Sequence, residues 1–382
     1  MTSRTKVFAA AVAVVAGLGL LIAVLRLGTG RSDTVRIGSI LVLSGNYKSQ
    51  GEQIRDGQTI AMDEINARSR IKLDIVFRDS EGEKEISLRN VKDMQSQGVN
   101  FIGEIFGSTE ALHCLPFIRQ QNMLFISGVD TGASLSAAGG KHFFRIMPSD
   151  RLASQHLAAI ATARGYKKAA IVFANDVWGK GLKDEMEAEY KRLGGETTLV
   201  LDTVKNQDLF QPLVARLKAD RPTVTFLFLY ARDAANFVKE ARRQGIQTEF
   251  MGTDNLTGSE FADVGEDAAS GVMYVVPGPP TASDRRLHFQ QLYKAKFGAS
   301  SEPPLFATHG YDTVHVLWEA IEASGRDVPR VISYLEQVHY DGASGPIAFD
   351  RNHELVVSEY RLKAFRRSGG QTTVEDLGPI GR

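Results

Sequence analysis

Two kinds of hydrophobic pattern alternate along most of the chain. Short apolar runs bounded by turn residues, such as TVRIGSILVL at 34–43 and KKAAIVFA at 167–174, are typical of buried strands. Between them lie longer segments in which apolar residues recur every three or four positions, as at 54–65, and these predict helices. Because strand and helix patterns alternate with little intervening sequence, we predict an α/β fold with parallel sheets covered by helices.

The alternation forms two successive series. The first contains the predicted strands 34–43, 71–77, 99–106 and 123–127. The second follows HFFRIMPSD and contains the predicted strands 167–174, 197–204, 223–230 and 248–252. Two amphipathic helices are then predicted at 283–298 and 305–325. Two doubly wound units of this size indicate two α/β lobes rather than one large sheet.

The N-terminus carries a pattern of another kind. Arg4 and Lys6 precede residues 7–25, which consist only of Val, Phe, Ala, Gly, Leu and Ile. This pattern predicts an apolar helix within residues 1–32 that directs export. The run is long enough to span a bilayer, which favours an uncleaved anchor, whereas Gly28 and Gly30 offer a small-x-small site for cleavage. Both alternatives place the rest of the chain outside the cytoplasm.

Composition and charge exclude several classes of function. The chain of 382 residues has 45 Lys and Arg against 45 Asp and Glu, and its basic residues are dispersed. We therefore expect no nucleic-acid partner. The single cysteine, Cys114, excludes an intrachain disulfide and a CxxC zinc site, and we expect it to pack within a helix.

Motifs of catalysis and nucleotide binding are missing from the sequence. No GxGxxG follows a predicted strand, and there is no GxxxxGK[ST], GxSxG or HExxH. The eight histidines are scattered along the chain. We therefore predict a protein that is not an enzyme and that uses neither a cofactor nor a metal.

Seven segments, in order, resemble landmarks of type I periplasmic binding proteins of the branched-chain amino-acid (Leu/Ile/Val) receptor group. The likeness covers about residues 35–350, and the segments are ILVLSGNYKSQGEQIRDGQTIAMDEIN, FIGEIFGSTEA, ISGVDTGAS, FANDVWGKGL, FLYARDAANFVKEARRQG, MGTDN and YDGASGPIAFD. The resemblance implies two Rossmann-like lobes that are joined by three hinge crossovers and close on a small solute. Lobe 1 would comprise 33–148 and 278–338, and lobe 2 would comprise 149–277 and 339–382.

The resemblance also implies a ligand site. Ser108 and Thr131 match the hydroxyl residues that hold an α-carboxylate in the family, with Thr109 adjacent and Val129 contributing backbone groups. Asp254 matches the acidic residue that meets the ammonium group. Trp178, Tyr230 and Phe306 match aromatic wall positions of the pocket, and Gln50 is also predicted to contact the ligand.

Ordinary structural roles remain open for these residues. Ser108 suits the cap of the helix that begins TEAL, and Thr131 suits an ordinary turn in SGVDTG. Asp254 suits an Asx turn, and a single aromatic residue more often belongs to the core.

Two positions depart from the family pattern. Gln50 stands where the Leu/Ile/Val receptors carry an aromatic residue, and Asp130 lies in a loop where small apolar residues are usual. Both changes make the pocket more polar, so the ligand need not be a branched aliphatic amino acid. Of the two orientations open to Asp130, we expect the one toward solvent rather than the one toward the ligand.

The sequence thus predicts a monomeric solute-binding receptor in the bacterial periplasm or at the outer face of the cytoplasmic membrane. It would capture an amino acid or a similar small zwitterion and deliver it to an ABC permease and its ATPase. Residues 7–25 would be its contact with the inner membrane. The alternative is a ligand-sensing ectodomain that reports to a separate signalling partner in the membrane.

Overall fold

The structure is a computed structural model that describes residues 34–45, 47–204, 207, 209–278, 283–298, 303–356 and 359–380. The apolar segment 7–25, and with it the predicted N-terminal helix and the division at residue 32, lies outside these residues. In the described ranges, every helix is too short or too polar to cross a membrane.

The first sheet has five parallel strands in the order β2-β1-β3-β4-β5. The strands are β1 (Thr34–Leu41), β2 (Lys72–Asp79), β3 (Phe101–Ile105), β4 (Leu124–Ser127) and β5 (Phe143–Arg145). The helices that connect them are α1 (Lys48–Arg68), α2 (Lys84–Ser96), α3 (Ser108–Gln120) and α4 (Ser134–Gly139). The strand order reverses direction between β1 and β3, and such a switch point opens a crevice at the carboxyl ends of the strands.

The second sheet has seven strands in the order β14-β13-β10-β9-β8-β6-β7. Its parallel strands are β6 (Lys168–Ala174), β7 (Glu196–Thr203), β8 (Val224–Phe228), β9 (Glu249–Gly252) and β10 (Met273–Pro277). Its helices are α5 (Asp150–Ala163), α6 (Val177–Arg192), α7 (Gln211–Asp220), α8 (Ala231–Arg243) and α9 (Glu260–Gly265). The two-lobe α/β fold predicted from the sequence is confirmed.

The edge of the second sheet adds an antiparallel hairpin to the predicted parallel strands. Strands β13 (Tyr360–Ser368) and β14 (Gln371–Pro379) form a hairpin, and β13 pairs antiparallel with β10. Gly369 and Gly370 connect the two strands with φ of 57° and 83°. Two consecutive residues at positive φ make a tight hairpin turn whose twist matches that of the strands, and glycine adopts this conformation without steric cost.

The last helices return to the first sheet. They are α10 (Asp284–Phe297), α11 (Leu305–Ser324) and α12 (Val328–Leu335), followed by the short hairpin of β11 (Tyr340–Asp341) and β12 (Pro346–Ile347). Helix α11 packs closely on α1 at Gly57. A Cβ atom on this residue would lie 1.9 Å from the carbonyl oxygen of Ala307, so only glycine fits there. Among the described strands, the chain changes sheet three times: after β5, after β10 and between β12 and β13.

The apolar cores follow the two sheets. One large cluster lies around the second sheet, and two adjoining clusters cover the faces of the first. Cys114 is free and buried in one of the latter clusters, as expected for helix packing. Tyr340, Ala343 and Ile347 also pack in the core of the first sheet. The division of the chain at residue 338 stays a prediction, and this packing argues for a boundary further along.

Candidate functional site

A cavity of about 40 Å³ lies where the carboxyl ends of strands from both sheets meet. Eight of the nine residues predicted for the site line it together: Gln50, Ser108, Val129, Thr131, Trp178, Tyr230, Asp254 and Phe306. Phe106, Gly107, Asp130 and Asn255 complete the lining. The structure thus brings the predicted residues to one place, and their role in binding stays a prediction.

Thr109, the ninth predicted residue, is absent from the cavity lining. Its hydroxyl oxygen accepts a hydrogen bond of 3.1 Å from the backbone N–H of Val177, at the first residue of α6. A second bond crosses between the lobes where the Tyr47 hydroxyl donates to Asp233 Oδ2 at 3.0 Å. These two hydrogen bonds join the lobes beside the cavity.

The polar side of the cavity in lobe 1 is built at the start of α3. Gly107, with φ 112°, is the N-terminal cap residue of this helix, and Ser108 is its first helical residue. The interpretation of Ser108 as a cap is not supported, since its oxygen accepts a hydrogen bond of 3.2 Å from the N–H of Gly132. The Ser108 hydroxyl therefore still has its proton to donate.

Asp254 lies opposite, at the first residue of a short 3₁₀ turn, Asp254–Leu256, that follows β9. Its neighbour Asn255 braces this turn, with its amide donating to the carbonyl oxygen of Leu229 and its side-chain oxygen accepting from the Thr253 hydroxyl at 2.6 Å. Asp254 is 7% exposed, and burial raises its pKa to about 6. A carboxyl group in this setting favours a cation beside it, because an opposite charge offsets the cost of desolvation.

A second carboxyl group, which the sequence analysis missed, lies close to Asp254. Asp150 begins α5 and is 1% exposed. Burial and the charge of Asp254 raise its pKa to about 8 against the opposing influence of Thr131, Arg145 and Trp178. In the described part of the chain, neither Asp150 oxygen has a hydrogen bond of regular geometry. In the sequence this residue follows Ser149 and is typical of an ordinary helix start, so nothing there indicates its burial.

We expect the substitution Asp150→Asn to stabilise the ligand-free protein at pH 8 by about 2 kcal/mol or more. A buried carboxyl whose pKa is raised in the folded state contributes stability that is fully present below its unfolded pKa, near 4, and lost as the pH rises toward 8. The amide does not ionise, so its advantage should shrink toward zero near pH 4. Thermal unfolding at several pH values tests this.

The matched control is Asp184→Asn, because the Asp184 side chain is 69% exposed on α6. We expect this variant to differ from the native protein by less than about 0.5 kcal/mol at every pH. An Asp150→Asn effect that is the same at pH 4 and pH 8 would show that the carboxyl group does not titrate as described.

Asp130 corrects an expectation from the sequence. We expected its side chain to point to solvent, but it is 3% exposed and lines the cavity. It adjoins Glu104, which is fully buried in β3 and accepts hydrogen bonds from the Ser127 hydroxyl at 2.8 Å and the Gly128 N–H at 2.7 Å. Burial, and then the charge of Glu104, raise the pKa of Asp130 well above its usual range. The Asp130 side chain points into the cavity, where its Oδ1 accepts a hydrogen bond from the Gly107 N–H. The amino-acid composition of the loop does not predict this orientation.

Aromatic rings form the apolar walls. The rings of Trp178 and Tyr230 are 5.2 Å apart, and the Tyr230 hydroxyl donates to Asp176 at 2.8 Å. Tyr47 packs on Tyr230 with 4.8 Å between the ring centroids. Tyr47 was not predicted, and it supplies an aromatic ring three residues before Gln50. Its place between two turn-forming segments in LSGNYKSQG gave no periodic signal.

The comparison with known proteins agrees with this geometry. A family model described as periplasmic binding protein matches residues 34–370 of the chain. The chain belongs to this family. As a periplasmic binding protein it is an extracytoplasmic solute-binding component of an ABC transporter, and it is not an enzyme. Among the described residues, no cluster of three or more His, Cys, Asp or Glu could hold a metal ion.

Relatives and solved structures support the same fold. The chain is 25% identical over 338 residues to the Leu/Ile/Val-binding protein BraC3 of Rhizobium johnstonii, which covers 86% of this chain and 90% of that protein. It resembles the leucine binding protein LivK of Thermotoga maritima, with a TM-score of 0.84 and 21% identity. The alignment covers 91% of this chain and 99% of LivK. It also resembles a solute-binding protein of R. palustris solved with benzoate, with a TM-score of 0.81 and 19% identity. That alignment covers 91% of this chain and 96% of the R. palustris protein.

Proposed function

We propose that this periplasmic binding protein captures a small solute carrying an ammonium group, an amino acid or a similar zwitterion, and presents it to an ABC permease and its ATPase. The observation that carries the proposal is the position of Asp254. This buried carboxyl group lines the cavity opposite the hydroxyl groups of Ser108 and Thr131. A cationic group and hydroxyl-bonding groups on one solute would satisfy both sides.

Relatives support the amino-acid class. BraC3 is named for leucine, isoleucine and valine, and a Pseudomonas aeruginosa relative, 20% identical, is named for those three plus threonine and alanine. The walls formed by Trp178, Tyr230 and Phe306 suit the apolar body of such a ligand. Gln50 and Asp130 add polar groups, so we propose a ligand more polar than leucine.

Closure of the lobes is the proposed mechanism. Asp254 and Trp178 follow strands of the second sheet, whereas Ser108 and Thr131 follow strands of the first. A solute that bonds to both sides stabilises the closed arrangement relative to the open one, and this difference shifts the population toward closure. The contacts Tyr47 to Asp233 and Thr109 to Val177 would form in that closed arrangement.

We further propose that the protein acts as a monomer at the outer face of the cytoplasmic membrane and is held there by residues 7–25. The support for membrane attachment is the length of this apolar run, which suffices to span a bilayer. Mass spectrometry of the native protein tests the proposal, since a chain starting at Arg31 would show that the segment is removed.

A thermal-shift screen over amino acids, amines, amides and small carboxylates tests the function. A ligand at a hundredfold excess over its Kd should raise the free energy of unfolding by about 2.7 kcal/mol, because it binds only the folded state. We expect stabilisation by at least one compound with an ammonium group. If only solutes without a cationic group stabilise the protein, the proposed ligand class is wrong.

A further inference from the structure

The side chain of Asp130 accepts a hydrogen bond from a backbone N–H group that could otherwise bind a ligand carboxylate. Its Oδ1 accepts a hydrogen bond of 2.9 Å from the N–H of Gly107, the residue that caps α3. Free N–H groups at a helix N-terminus are a preferred place for an anion. Here the protein's own carboxyl group already holds part of that position.

The second oxygen of Asp130 is buried without a partner. No described residue donates a hydrogen bond to Asp130 Oδ2. The side-chain oxygen of Gln50, which lines the same cavity, also lacks a described donor. A buried acceptor without a donor is costly, so both atoms favour a ligand that brings N–H groups.

The acidic groups around the cavity have raised pKa values, which a bound cation would lower. Asp130 and Asp254 line the cavity, and Asp150 lies close enough for the charge of Asp254 to raise its pKa. The described lining residues include no Lys, Arg or His. The nearby guanidinium of Arg145 is paired with Glu354 at 2.7 Å. An anionic solute would therefore find no compensating cation in the lining, whereas a cationic solute would favour the ionised form of these carboxyl groups.

The aromatic walls add a further attraction for positive charge. Trp178, Tyr230 and Phe306 line the cavity, and Tyr47 packs against Tyr230. The faces of aromatic rings attract cations, with the largest effect when the cation is desolvated. Carboxyl groups and aromatic rings around one small cavity thus favour the same kind of ligand.

We propose that the solute bears a net positive charge, and that Asp130 sets this specificity by accepting a hydrogen bond from a cationic amine of the ligand at Oδ2. The inference deepens the proposed function and rests on it. It narrows the ligand from zwitterions in general to cationic amines, which include basic amino acids and amines without a carboxylate.

Calorimetric titration with charge-matched pairs tests the inference. The probes are arginine against citrulline and ornithine against norvaline, with agmatine as an amine that lacks the carboxylate and benzoate as an anion. We expect a cationic member to bind the native protein at least about tenfold more tightly than its neutral counterpart, and benzoate not to bind. In Asp130→Asn, which retains an oxygen for the Gly107 N–H, that ratio should fall below about threefold.

Controls separate this outcome from loss of folding. Glu322→Gln changes an exposed carboxylate on α11 away from the cavity, and it should keep the native charge preference. Thermal unfolding should show that Asp130→Asn remains folded, and Asp130→Ser provides a second variant if it does not.

Three results would overturn the inference. Equal or tighter binding of the neutral partners by the native protein would leave the proposed function intact and remove the charge preference. Unchanged preference in folded Asp130 variants would remove Asp130 from the specificity. If none of these amines binds, the inference fails, and the thermal-shift screen decides separately whether the proposed function stands.

Discussion

Asp254→Asn is expected to weaken binding of the amine ligand at pH 7.5 by roughly 2–5 kcal/mol, which is a loss of at least tenfold in affinity. At this pH the carboxyl group, with its pKa of about 6, is mostly ionised and provides the charge that the ammonium group needs. The amide has nearly the same shape but leaves the buried cation without its counter-charge. Calorimetry with the ligand from the screen measures the difference.

The same substitution should not reduce the stability of the ligand-free protein. Asp254 is buried and its pKa is raised, so replacing a desolvated carboxylate by an amide removes a cost of folding at neutral pH. Glu322→Gln, on the surface of α11, is the control for a general loss of negative charge. An unchanged Kd in folded Asp254→Asn would exclude the ammonium role.

Glu354→Gln is expected to lower the free energy of unfolding by about 3 kcal/mol. Arg145 is fully buried at the end of β5, and its Nη2 donates to Glu354 Oε1 at 2.7 Å and to the Ser136 hydroxyl at 3.2 Å. Its Nη1 donates to the carbonyl oxygen of Gly132 at 2.9 Å. Removing the charge of Glu354 leaves a buried guanidinium without its counter-ion, which is one of the more destabilising changes known for ion pairs. Chemical denaturation measures the loss.

A surface ion pair provides the comparison for this variant. Arg366 and Glu375 are paired across β13 and β14, with side chains 51% and 49% exposed. Glu375→Gln should therefore cost less than about 1 kcal/mol, because solvent screens exposed pairs. Equal effects of the two substitutions would mean that the Arg145 pair is not the buried anchor that its geometry indicates.

Much of the fold was predictable because parallel strands buried on both faces have continuous apolar sequences. TVRIGSILVL and KKAAIVFA contain β1 and β6, and the helical pattern at 305–325 contains α11 almost to the residue. The edge of the second sheet was not predicted. Strand β14 is largely exposed, so it lacks an apolar run, although the SGG turn before it carried a hairpin signal.

The family resemblance predicted the site residues, and the strand order explains why they meet. Ser108, Trp178 and Asp254 come directly after strands, and the carboxyl ends of parallel strands meet at one edge of a sheet. The burial of Asp130 and Asp150 was not predictable, because it depends on residues distant in the chain that cover them. Asp150, for example, is influenced by Asp254 and Trp178, which follow different strands of the second sheet.

Small-angle scattering with and without saturating ligand tests whether the solute is captured between two closing lobes. The ligand from the thermal-shift screen should reduce the radius of gyration, because contacts on both sides of the cavity favour the closed arrangement. Folded Asp254→Asn at the same ligand concentration should show a smaller change. Scattering curves of the native protein that superimpose with and without saturating ligand would show that the ligand does not close the lobes.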